Sequence, residues 1–79
     1  MDVKEKREEL VKFFRQQLIN QTEELKTVDE SQKELVEAQM EKTYFSLQLM
    51  EEGSVEHNGQ KIELTDKRVE LMFKNYFQS

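Results

Sequence analysis

The amino-acid sequence predicts a mainly α fold: an antiparallel helical hairpin, a short Asn-Gly β-hairpin or loop, and a third amphipathic helix closing on the second. Three observations carry that expectation. No proline occurs anywhere and no glycine occurs before Gly53, while Glu, Lys, Gln and Leu, all good helix formers, dominate Met1 to Glu52. Apolar residues recur there at helical spacing. The one stretch that changes period, residues 54–64, contains Asn58-Gly59, the strongest short-range signal for a two-residue hairpin turn.

The first helix is expected over about residues 2–26. Val3, Leu10, Phe14, Leu18, Leu25 and Val28 gather on one stripe at 100° per residue, with Val11 beside them, Phe13 at the edge and Ile19 off it. A break is expected between Thr27 and Ser31, because both Thr27 to Glu30 and Ser31 to Glu34 have the spacing of a capping box. An unbroken helix of about 50 residues is the alternative, and such lengths are rare in globular domains. The second helix, about 30–52, is apolar on two sides: Val36, Met40, Thr43, Leu47 and Met50 on one, Leu35, Ala38, Phe45 and Leu49 on the other. A helix of that kind is buried on two sides, so in its C-terminal half, residues 43–50, it is expected to be the central element, packed against the first helix and a further element. Gly53 supplies the left-handed position that ends it.

Around Asn58-Gly59 the hairpin register pairs His57 with Gln60, Glu56 with Lys61 and Val55 with Ile62. The third helix, about 66–77, is capped by Thr65 and entered through a Leu64 to Val69 staple, with Val69, Met72, Phe73 and Tyr76 on its buried face. No repeat, linker or low-complexity tract divides the chain, so residues 1–79 are expected to form one small helical domain.

Composition narrows the chemistry. Without cysteine there is no disulfide, thiolate metal site or thiol nucleophile. No run of eighteen or more apolar residues is available to span a membrane, and MDVKEKREEL is too charged to open a secretory signal, so the expectation is a cytoplasmic protein with no membrane contact. A membrane-surface role for residues 2–26 is disfavoured because Glu5, Glu8, Glu9, Glu23 and Glu24 balance the lysines and arginines. There is no P-loop, dinucleotide fingerprint, EF-hand loop or Glu-x-x-His motif, and the lone His57 flanks a turn. The sequence therefore predicts no enzyme, no cofactor and no metal.

Charge is unevenly placed. The formal net charge is -5, and all of it falls in residues 27–52, which hold seven acidic and two basic groups. Glu30, Glu34, Glu37 and Glu41, spaced 4, 3 and 4 apart, align as an acidic ridge beside Tyr44. These five residues are the candidate surface for a protein partner with a basic face, since charge complementarity steers association and selects partners. The expected function is a small acidic protein-interaction or regulatory module. The alternative is a small dimeric nucleic-acid-binding transcriptional regulator. That alternative is disfavoured because its basic groups are interleaved with acids rather than set in a stripe.

Leu, Ile, Val and Phe make up about 27% of the chain, above the range typical of disorder but lean for so short a protein. Phe13, Ile19 and Leu71 are left over after each stripe has been assigned. A homodimer pairing two helical hairpins into a four-helix bundle is therefore expected, with Phe13, Ile19, Phe45 and Leu49 as the candidate interface.

Overall fold

The computed structural model describes residues Met1–Gln78. Among them lie α1 (Val3–Thr27), α2 (Glu30–Glu52), β1 (Ser54–His57), β2 (Gln60–Glu63) and α3 (Asp66–Phe77). The structure is 77% helical, with the two-stranded antiparallel sheet between α2 and α3.

Local chemistry explains each boundary. Asp2 caps α1 by accepting from the Glu5 backbone N–H at 2.8 Å. The hairpin turn is Val28–Asp29, within the expected break, but neither capping box forms. Asp29 is the N-cap of α2 and makes no side-chain cap bond; its carbonyl accepts from Gln32 N at 2.8 Å. The Thr27 hydroxyl instead donates back to Glu24 O within α1. Gly53 ends α2 at φ 82°, a left-handed conformation that a side chain would strain. Asn58 and Gly59 take φ of 51° and 77°, so both central turn positions are left-handed, and the register is Val55 with Ile62, Glu56 with Lys61 and His57 with Gln60. Lys61, across the ladder from Glu56, has its ammonium 3.7 Å from Glu63. Thr65 caps α3 through Arg68 N at 3.1 Å.

All three helices contribute to one core cluster: Leu10 and Phe14 from α1, Leu47 and Met50 from α2, Val69 and Phe73 from α3. Leu64 and Met72 pack against it. The order of packing differs from expectation. The element against which both other helices pack is α1, not α2, and α3 closes on α1. Chain continuity is the reason. The left-handed turn at Gly53 sends β1 straight back against α2, where Leu49 and Val55 are buried, and Leu64 N seals the base of the hairpin on Gly53 O at 2.9 Å. With that side of α2 taken, α3 reaches α1 along the flank that carries Phe13. There Phe13 packs against Tyr76 and Phe77, with ring centroids 5.2 and 5.3 Å away, and Lys6 meets Glu70 at 3.8 Å.

On the opposite flank, Arg7 ties α1 to the end of α2: its Nε donates to Met50 O and its Nη2 to Glu51 O at 3.4 Å, while Arg15 forms an ion pair with Glu51. The molecule measures 41 × 31 × 19 Å, so its thinnest dimension is about two helix diameters.

Candidate interaction surface

Starting at Glu30, α2 turns its Leu47 side toward α1 and the acidic ridge away from it. The four glutamates fall within about 60° of one another around the helix axis. All four are exposed, and Tyr44, 59% exposed, continues their line. Glu30 is paired with Lys33 at 3.1 Å; among the described residues, Glu34, Glu37 and Glu41 make no ion pair. The structure therefore brings the five expected partner-binding residues onto one open face. Like charges at these spacings weaken a helix by a few tenths of a kcal/mol per pair, roughly 0.2–0.5.

Apolar residues border the ridge on both sides. Met40, half-buried, and Tyr44 lie on one flank, and Leu35, Ala38 and Phe45 on the other. This second flank is the additional apolar side of α2, and only its C-terminal end is covered. Phe45 is half-buried and meets the edge of the His57 ring at a centroid distance of 5.6 Å, whereas Leu35 is 56% exposed and Ala38 is also open. Burial on this second apolar side is thus confined to the C-terminal half of α2, where it is expected, and does not extend to Leu35 and Ala38. Their exposure follows from the length of the hairpin, whose four-residue strands are too short to cover more than the last turns of α2.

The four residues expected at a dimer interface do not share a surface. Leu49 is 2% exposed inside a single chain, because β1 folds over it, and Phe13 is half-buried among Phe14, Tyr76 and Phe77. Both are corrected to residues of the monomer's own packing. Ile19, 57% exposed, and part of Phe45 remain available.

A second feature escaped the sequence reading. Between α1 and α2, just beyond Tyr76, lies a polar cleft of about 360 Å³ whose lining includes Gln17, Gln21, Gln39, Thr43 and Ser46. Gln21 is only 8% exposed, and among the described residues its Oε1 has no hydrogen-bond partner. The signal was present in the sequence: Gln21 stands seven residues after Phe14, on the apolar stripe of α1.

Basic side chains on α1 are largely matched by acids, with Lys12 near Glu9, Lys26 near Glu23 and Arg15 on Glu51. Lys67 and Arg68 are exposed in the first turn of α3, next to Asp66. Among the described residues, no helix is long and apolar enough to cross a membrane, and no three His, Asp or Glu side chains cluster as metal ligands. Comparison with protein-family models, curated proteins and solved structures finds no match.

Proposed function

We propose that this protein is a non-enzymatic interaction module that binds a partner protein bearing a basic surface through the exposed face of α2. One observation carries the reading: the segment that holds the entire net charge folds so that Glu34, Glu37 and Glu41 stand open, in line and, among the described residues, without ion-pair partners. A solvated face would serve solubility equally well with its charges scattered. Aligned like charges cost helix stability, and a basic partner returns that cost on binding. The test is affinity capture from lysate read by mass spectrometry, with Glu34, Glu37 and Glu41 changed together to Gln. Specific partners are expected on the wild type and lost from the triple variant at low salt. Equal recovery on both would reduce the ridge to a solvated surface.

Self-association is part of the same proposal, supported by Ile19 and Leu71, which remain more than half exposed on a chain with a lean core. Light scattering coupled to size exclusion is expected to give about twice the 9.5 kDa chain mass, and Ile19→Glu is expected to return it to one chain mass. A wild-type mass of 9.5 kDa would remove the dimer.

A further inference from the structure

Resting on that reading, we infer that the partner element seated on α2 is an amphipathic helix, with its apolar side on the uncovered strip Leu35–Ala38–Phe45 and its basic side chains along the acidic ridge. The strip is the part of α2 that its own chain leaves unfinished. Downstream, β1 covers Leu49 and His57 edges Phe45; upstream, Leu35 and Ala38 have no covering element. From Leu35 to Phe45 the strip runs about 15 Å along the helix axis, some three turns. That length accepts two or three apolar side chains spaced i, i+3/i+4 and i+7 on a facing helix.

Charge selects the occupant. The strip is bounded on one side by Glu34, Glu37 and Glu41, and exposed Lys42, one turn beyond Ala38, stands in line with it between Ala38 and Phe45. A second copy of α2 laid antiparallel on the strip would set one acidic ridge against the other. A helix with lysines or arginines along one edge meets the glutamates and keeps its cations away from Lys42. Small Ala38 at the middle of the strip lets the two helix backbones approach closely, and Leu35 and Phe45 flank the crossing point. The contact is short, which places the complex among weak, reversible ones.

The probe is a synthetic amphipathic peptide of about fourteen residues, with leucines at i, i+3, i+4 and i+7, lysines along one edge and glutamines elsewhere. Its control has the same composition with the leucines displaced so that they no longer line one face. Titration into ¹⁵N-labelled protein is expected to give saturable amide shifts confined to residues 34–45 and His57. The control is expected to bind about tenfold more weakly. The double variant Leu35→Ser with Ala38→Ser should weaken binding by about fivefold while leaving the circular dichroism spectrum unchanged, since both residues are exposed. The triple Glu34, Glu37, Glu41→Gln variant should weaken it by about tenfold and abolish its salt dependence. Equal binding of ordered and displaced peptides, or full binding by the double variant, overturns the inference. If the triple variant is still weakened in that case, the acidic-surface reading survives it. Absence of any saturable shift also overturns the inference, and lysate capture then reports on the broader reading separately.

Discussion

The two ends of the helical hairpin are built from similar sequence and are packed very differently. At the base, where residues 3–14 of α1 and 43–52 of α2 meet the β-hairpin and α3, lie Leu10, Phe14, Thr43, Leu47, Leu49, Met50, Val55, Val69 and Phe73, all buried. At the tip, residues 17–27 of α1 and 30–42 of α2 bury only Val36 and Gln21. The apolar stripe of α1 does not stop at the boundary: Leu18, Leu25 and Val28 continue it but are only half-buried. What stops is the third layer. The α3 helix, twelve residues long, runs alongside α1 only as far as Phe13 and Phe14, which its Tyr76 and Phe77 touch. Two facing helices leave each stripe half open, and a third element is needed to close it. The tip is therefore where the molecule has surface to offer a partner, and the base is where it holds its stability.

That contrast can be broken first at the base. Phe14 is almost completely buried and lies in edge-on contact with Tyr76, ring centroids 5.2 Å apart. Truncating it removes packing to both α2 and α3, and Phe14→Ala should cost about 3–5 kcal/mol. A single core in a chain of this size supplies roughly that much in total. The variant is therefore expected to be largely unfolded at room temperature by far-ultraviolet circular dichroism. Retention of a cooperative melt near that of the wild type would show that the base is not the seat of stability.

A smaller effect is expected at Gly53, whose φ of 82° sends the chain back onto α2. Adding a Cβ there meets nothing closer than Arg7 Nη2 at 3.8 Å, so space is not the obstacle and backbone strain is. Gly53→Ala should cost about 1–2 kcal/mol, read as a lowered urea midpoint with an unchanged slope. An unchanged midpoint would mean that the hairpin is not held on α2 by this turn.

At the tip the sign reverses. Gln21 Oε1 is buried without a partner, so Gln21→Leu removes an unsatisfied acceptor and extends the stripe between Phe14 and Leu25. It should stabilise the protein by about 1 kcal/mol, raising the thermal midpoint by roughly 4–8 °C. A fall of similar size would show that the polar layer formed by Gln21 and the facing Thr43 is itself part of what holds the two helices in register.

Much of the architecture is legible in the sequence. The ends of α2 and α3, the hairpin register and the break near Val28 depend on residues within a few positions of one another. A backbone that must turn left-handed at Gly53, Asn58 and Gly59 announces itself locally, as does the Thr65 cap. The acidic ridge was legible for the same reason, because its alignment needs only the helical period. The capping boxes failed because two adjacent candidates and Asp29 competed for one turn, and backbone geometry chose Asp29.

What the sequence by itself determined is thus each element, its ends and the side on which its charge and apolar residues fall. The tertiary structure alone decided which helix is central, that Phe13 and Leu49 belong to the monomer's own packing, that Leu35 and Ala38 stay open, and that Gln21 is buried without a partner. Periodicity states that a face is apolar but not what will cover it. Covering is settled by chain length and order: a four-residue strand pair after Gly53 reaches Leu49 and Phe45, and a twelve-residue α3 ends with Tyr76 and Phe77 against Phe13 and Phe14.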